Sequence, residues 1–209
     1  MNKLYIFDFD GMLVDTIHDS IACLNQALRE FGKPSFDEDL DSFVYEDLRQ
    51  FLRDNSSSKD TPVYPRYIEL CNESDFRTTK AYDGMIDVLN ELEDRGISLA
   101  ICSNREQNVL EDFSERFLPG IRFKYISGFR KGVPDKPDPF RLNEIIEKEG
   151  IEKENVLYFG DKDVDIIAAR NAGVKMVMAT YGQGNEMDYR DSYIFTLIDD
   201  PIEILDIEF

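Results

Sequence analysis

The segment Leu4-Tyr5-Ile6-Phe7, followed at once by Asp8-Phe9-Asp10-Gly11, constrains this chain more than any other. An apolar, β-favouring run meets two carboxylates separated by one residue, and then a glycine. The run reads as a strand, and Asp with Gly reads as the turn that ends it. In open α/β sheets ligands bind just beyond the carboxyl ends of strands. A two-residue step is the shortest that places both side chains on one side of an extended segment. Two like charges this close are costly unless a cation or a shared proton compensates them. On this segment alone, a turn with two solvated aspartates is an equal alternative.

The rest of the chain supplies the context. Ile17, Ile21, Leu24, Leu28 and Phe31 recur at steps of four and three, one face of an amphipathic helix, which Gly32 and Pro34 end. Residues 36–80 are polar, acidic and interrupted by Asn55-Ser56-Ser57-Ser58; their periodicity predicts helices over 38–53 and 62–72 and no strand. From Tyr82 the pattern becomes an alternation. A helical stripe runs from Met85 to Leu92, then a strand over Ile97–Cys102, a helix over 105–117 and a weaker strand over 122–127. A helix over 138–149, a strand over Val156–Phe159, a helix over 163–172 and a strand over Val174–Ala179 follow, with a short strand over 193–196 and a helix over 200–206. Strands alternating with helices indicate βαβ units. The expected fold class is therefore α/β: a Rossmann-like parallel-sheet core of residues 1–15 and 81–209, with residues 16–80 as an inserted α-helical domain.

Charge narrows the function classes. Against 43 Asp and Glu stand 24 Lys and Arg, a formal net charge of −19. Nucleic-acid binding, which needs basic surface to neutralise phosphates, is disfavoured. Any site for a small anion then needs concentrated positive charge, which a metal ion and one well-placed lysine supply. Cys23, Cys71 and Cys102 form no CxxC pair and read as reduced, buried thiols of a cytoplasmic protein. Asp8 and Asp10 interrupt the first apolar run, so no secretory leader is expected. No stretch approaches the roughly 20 apolar residues of a membrane span.

Several strand ends carry reactive groups: Asp8 and Asp10; Ser103-Asn104-Arg105; and Gly160-Asp161-Lys162-Asp163-Val164-Asp165. A loop adds Lys136-Pro137-Asp138-Pro139. Singly, Ser103 fits a turn residue, Lys136 a solvated charge, and Asp161 and Asp165 a helix cap and a surface acid. In a parallel sheet these ends share one edge, and the groups converge.

In this order and spacing the motifs resemble those of the haloacid dehalogenase-like phosphohydrolase superfamily. The similar branch has a small helical cap inserted after the first motif. Asp8-x-Asp10-Gly resembles the first motif, Ser103 the second, Lys136 the third and Gly160-Asp161-x-x-x-Asp165 the fourth, while Tyr82-Asp83-Gly84 resembles the segment that re-enters the core. The resemblance implies a phosphatase resembling phosphoglycolate phosphatases, acting on a small phosphorylated metabolite. Asp8 is the implied nucleophile and Asp10 the acid and base. The implied cofactor is Mg²⁺, bound by Asp8, the Asp10 carbonyl and Asp161, with Asp165 orienting its waters or Lys136. Lys136 is implied to neutralise nucleophile and substrate, and Ser103 with the amides near Gly11 and Asn104 to hold the phosphate oxygens. A monomer or weak dimer is expected, with neither nucleic acid nor membrane as partner.

Departures from the family pattern are Met12, where an apolar residue serves equally; Lys162 in the fourth motif, expected to alter the metal's surroundings; and Tyr45 in the cap. Tyr45, Glu46 and Arg49 are the candidates for selecting the leaving group, and His18 reads as surface. A dehalogenase is disfavoured because Asp10 supplies an acid which that reaction does without. A sugar phosphomutase similar to β-phosphoglucomutase uses the same four motifs, and a non-catalytic binding module is the remaining alternative.

Overall fold

Six parallel strands build the sheet of this protein, described here from a computed structural model that covers residues 2–36 and 63–209. They are β1 (Leu4–Phe7), β4 (Ser98–Glu106), β5 (Tyr125–Phe129), β6 (Val156–Gly160), β7 (Lys175–Ala179) and β8 (Ile194–Ile198). Their order is β5-β4-β1-β6-β7-β8, every neighbouring pair parallel. The order reverses between β1 and β6, and that is where an open α/β sheet forms its crevice. Two short strands, β2 (Val14–Asp15) and β3 (Lys80–Ala81), pair as a separate ribbon.

The central strands read as continuous apolar runs because both faces are covered. Leu4, Ile6, Val156 and Tyr158 point to one side, against Leu142, Ile145, Ile166 and Ala169. These come from helices α5 (Phe140–Glu149) and α6 (Asp163–Ala172). On the other side Phe7 stacks on Phe159, ring centroids 4.6 Å apart. Helices α3 (Met85–Asp94) and α4 (Gln107–Phe117) complete the core. Cys23, Cys71 and Cys102 are free and buried.

The chain divides into two compact units, Met1–Val14 with Ala81–Phe209, and Asp15–Lys80. In the second, α1 (Ile17–Glu30) and α2 (Val63–Glu73) bury Ile21, Leu24 and Leu28 and Val63 and Leu70 respectively. Gly32 takes the positive φ of 64° that lets Lys33 N–H reach back to the Leu28 carbonyl. The helix expected over 38–53 lies outside the described residues.

Several elements differ from the sequence reading, among them β3, whose Lys80 lies in a region expected to hold no strand and pairs with β2. The strand expected over 122–127 begins at Tyr125, because Lys124 N–H bonds the Leu99 carbonyl and register with β4 starts only at Ala100–Tyr125. The strand expected over Ile97–Cys102 continues to Glu106. The tail helix is 3₁₀, Pro201–Asp206, started by the Asp200 side chain accepting from Ile202 N–H.

Candidate active site

Beyond Phe7 the chain alternates, as an extended segment must. Phe9 goes into the core, 6.5 Å from the Phe113 ring, and is flanked by Asp8 and Asp10. Asp8 is 5% exposed, and its N–H donates to the Phe159 carbonyl at 2.7 Å, which ties the end of β1 to β6. Its Oδ1 lies 2.8 Å from Lys136 Nζ, an ion-pair contact without the alignment of a hydrogen bond; this oxygen is buried and otherwise unsatisfied.

Lys136 is buried, with Nζ 2.7 Å from Asp165 Oδ1 and donating to the Tyr158 hydroxyl at 3.0 Å. Its backbone is clamped by Asn104, whose Nδ2 donates to the Lys136 carbonyl at 3.1 Å and whose Oδ1 accepts from Lys136 N–H at 3.0 Å. Arg141, fully buried on α5, donates to that same Asn104 oxygen and to the Ser103 carbonyl, and meets Asp135 at 3.1 Å. Lys136 is thus positioned by β4 and α5 together. Burial works against its ammonium, but Asp165 and Asp8 outweigh that and hold its pKa above the ordinary lysine value.

The fourth motif folds around its glycine. A Cβ on Gly160 would lie 2.5 Å from the Asp165 side chain, so only glycine lets Asp165 lean back over the strand end. Asp165 Oδ2 accepts the N–H groups of Asp161 and Lys162, and Oδ1 accepts from Lys136 and Tyr158. Burial alone would raise its pKa; Lys136 reverses that, and the carboxyl is held below the usual range. Asp161 is fully buried and accepts from Gln183 N–H at 2.7 Å. Burial pushes it up to about 7 against the pull of Lys162, with Asp165 and Asp8 adding repulsion. Asp8 is likewise raised by burial, with Lys136 opposing. Gly11 closes the other side at φ 88°, where a Cβ would meet Asp161 Oδ2 at 2.0 Å.

Asp10 is partly exposed and held bidentately by Arg105, Nη2 to Oδ1 at 2.6 Å and Nε to Oδ2 at 3.1 Å. Its backbone carbonyl accepts from Lys162 Nζ at 3.0 Å. The same ammonium lies 3.2 and 3.1 Å from the two Asp161 carboxylate oxygens. Lys162 therefore faces the Asp161 carboxylate and the Asp10 carbonyl directly, closer than the surrounding role expected from the sequence.

Asp8, Asp161 and Asp165 each offer an oxygen within 4.8 Å of the others. Asp165 has committed both oxygens internally. Asp8 faces Lys136 with an oxygen that has no aligned hydrogen bond, and Asp161 and the Asp10 carbonyl face Lys162. These hard oxygen donors fit a divalent cation such as Mg²⁺, whose charge would draw the Asp8 and Asp161 pKa values back down.

The structure thus brings Asp8, Gly11, Asn104, Lys136, Asp161 and Asp165 into one network, with Asp10 joined to it through Lys162. Ser103 is buried beside them, its Oγ accepting a long 3.4 Å bond from Arg105 N–H. His18 is exposed. Tyr45, Glu46 and Arg49 lie outside the described residues. Sequence reasoning gave no role to Arg141, Tyr158 or Arg105. Two of them carried a signal: a charged Arg141 beside the buried stripe Leu142, Ile145 and Ile146, and a Tyr158 hydroxyl inside a buried strand, which must find a partner.

Comparison with known proteins shows the family and the fold. The family model for haloacid dehalogenase-like hydrolases matches residues 5–179. A protein of Agrobacterium fabrum named phosphoglycolate phosphatase is 30% identical over 196 residues, covering 87% of this chain and 82% of that protein. One of the same name from Vibrio cholerae is 29% identical over 216 residues, covering 94% and 96%. In fold, a haloacid dehalogenase-like family hydrolase from Streptococcus pneumoniae superposes with a TM-score of 0.84 at 21% identity, covering 98% of this chain and 97% of that one. Among the described residues, no helix is long and apolar enough to cross a membrane.

Proposed function

This chain belongs to the haloacid dehalogenase-like hydrolase family, and we propose that it is a Mg²⁺-dependent phosphatase that hydrolyses small phosphorylated metabolites, with Asp8 as nucleophile. The observation that carries this reading is the state of Asp8: a buried carboxylate at the sheet's switch point, held 2.8 Å from the Lys136 ammonium with an oxygen otherwise unsatisfied. Phosphoryl transfer asks for such a nucleophile, with electrostatic cover for the equatorial oxygens.

Asp8 attacks phosphorus, the ester bond to the leaving oxygen breaks, and Asp10 gives that oxygen its proton. Asp10 then takes a proton from the water that opens the aspartyl-phosphate and releases inorganic phosphate. Arg105 holds the Asp10 carboxylate bidentately and so fixes its position beside the reacting oxygen. Lys136 neutralises Asp8 and the incoming phosphate, and Asp165 with Tyr158 holds Lys136 in place. The Ser103 hydroxyl and the amides near Gly11 and Asn104 bind phosphate oxygens. Asp8, Asp161 and the Asp10 carbonyl would hold Mg²⁺, which would supply charge screening between carboxylate and phosphate.

The names of the Agrobacterium fabrum and Vibrio cholerae relatives make 2-phosphoglycolate the first substrate to try. The Asp15–Lys80 unit is the proposed selector of the leaving group. Release of inorganic phosphate from a panel of phosphorylated metabolites, with Mg²⁺ and again in EDTA, tests the reading. Wild type should turn over at least one compound, and Asp8→Asn should lose about a thousandfold or more of that rate. Equally negligible release by both proteins across the panel would overturn it, and undiminished release in EDTA would remove the metal.

A further inference from the structure

The cation seat of this protein is shared with one of its own side chains. Lys162 caps α6 from an extended backbone, φ −125° and ψ 163°, and from there its side chain turns back over the end of β6. Its Nζ donates to the Asp10 carbonyl at 3.0 Å and to the two oxygens of Asp161 at 3.2 and 3.1 Å. An ammonium has three donors, and Lys162 directs them to the Asp10 carbonyl and the Asp161 carboxylate. Two of the three groups proposed to bind the metal, the Asp161 carboxylate and the Asp10 carbonyl, are thus already bound to the Lys162 ammonium. The third, Asp8, faces a different cation, Lys136, at 2.8 Å.

We propose that Lys162 is a built-in counter-cation that competes with Mg²⁺, so that the metal binds only by displacing the Lys162 ammonium from Asp161 and the Asp10 carbonyl. The inference rests on the metal reading given above. Mg²⁺ demands near-octahedral geometry at short oxygen distances, and an ammonium within about 3 Å of the same oxygens occupies the space it needs. Like charges on the same two ligands also repel strongly in a buried site. Lys162 has a way out: its side chain is 10% exposed, whereas that of Asp161 is fully buried, so the ammonium moves and the carboxylate stays. Its flexible stem makes this exchange a rotamer change rather than a backbone movement. One consequence is that Lys162 ties the Asp10 carbonyl to the Asp161 carboxylate, joining the ends of β1 and β6. Another is that the metal binds more weakly than its oxygen ligands alone would allow.

The test is direct metal binding by the full chain at one pH and ionic strength. Isothermal titration calorimetry with MgCl₂, and Mn²⁺ binding followed by electron paramagnetic resonance, should show Lys162→Ser binding about tenfold or more tightly than wild type, since a competing buried charge has gone. Equal or weaker binding by Lys162→Ser, with wild type binding measurably, overturns the competition and leaves the metal site standing. Absence of binding to both proteins at millimolar metal would overturn the metal reading and this inference with it. A second measurement needs no variant: the ¹⁵N-resolved ammonium signal of Lys162 in wild type should change as Mg²⁺ saturates the protein. A signal that stays put at saturation overturns the displacement.

Discussion

Lys136 is the residue on which the buried carboxylates depend. It faces Asp165 at 2.7 Å and Asp8 at 2.8 Å, with Tyr158 as its third partner, and all of these groups are buried. A buried charge pair of this kind adds little net stability when formed, yet breaking it strands the remaining charge. Lys136→Met should therefore lower unfolding free energy by about 3–5 kcal/mol in urea titrations. A loss under about 1 kcal/mol, the scale of an exposed pair, would contradict the burial argument. Adding Asp165→Asn to that variant should return part of the loss, because one stranded carboxylate is gone. At this scale the sequence was informative about which residues meet: Asp8 and Asp161 at strand ends and Lys136 in a loop come together as expected. It was silent where a role depends on how a long side chain turns. Nothing in the string Gly160-Asp161-Lys162 says that Nζ doubles back to the Asp10 carbonyl, 152 residues away in sequence.

Among elements, periodicity carried the reading where burial is one-sided or complete. Helix α1 was legible because Ile21, Leu24 and Leu28 form its buried stripe, and β1 and β6 because they are apolar throughout. The start of β5 was not legible, since pairing with β4, and not local pattern, sets it. A second illegible feature is the tie between α1 and the segment before β3. One oxygen of Asp19 accepts four bonds: from Thr78 N–H at 2.9 Å, Thr78 Oγ1 at 2.8 Å, Thr79 N–H at 2.8 Å and Thr79 Oγ1 at 2.8 Å. Burial alone would raise the Asp19 pKa; the threonine bonds outweigh it and lower it from the ordinary 3.8. A depressed carboxyl contributes stability that is present above its unfolded value and lost as pH falls through the folded value. Asp19→Ala should thus cost about 2 kcal/mol at pH 7, by loss of charge-assisted bonds. The gap between wild type and variant, measured by chemical denaturation, should shrink once pH drops below 3.8. A gap that stays constant through that window would mean the threonines do not depend on the carboxylate charge.

For the molecule as a whole, the net charge of −19 opposes the arrival of the anionic substrate proposed here. The site answers with local cations, Lys136, Lys162 and Arg105, each within 3.2 Å of a catalytic-site carboxylate. The two fields differ in range. Contacts of a few ångström in a buried site are scarcely screened by salt, whereas the surface charge acts over a Debye length that shrinks from about 30 Å at 0.01 M to about 8 Å at 0.15 M. Added salt therefore removes the repulsion and leaves the attraction. With Mg²⁺ kept saturating, kcat/KM for a phosphorylated substrate should rise about twofold or more between those ionic strengths, by relief of long-range steering. A rise confined to kcat/KM, with kcat level, would place the effect on encounter, because the chemical step runs inside the screened-out distance. A fall with salt would instead mean that the three cations govern approach as well as binding, and that the acidic surface lies away from the path the substrate takes.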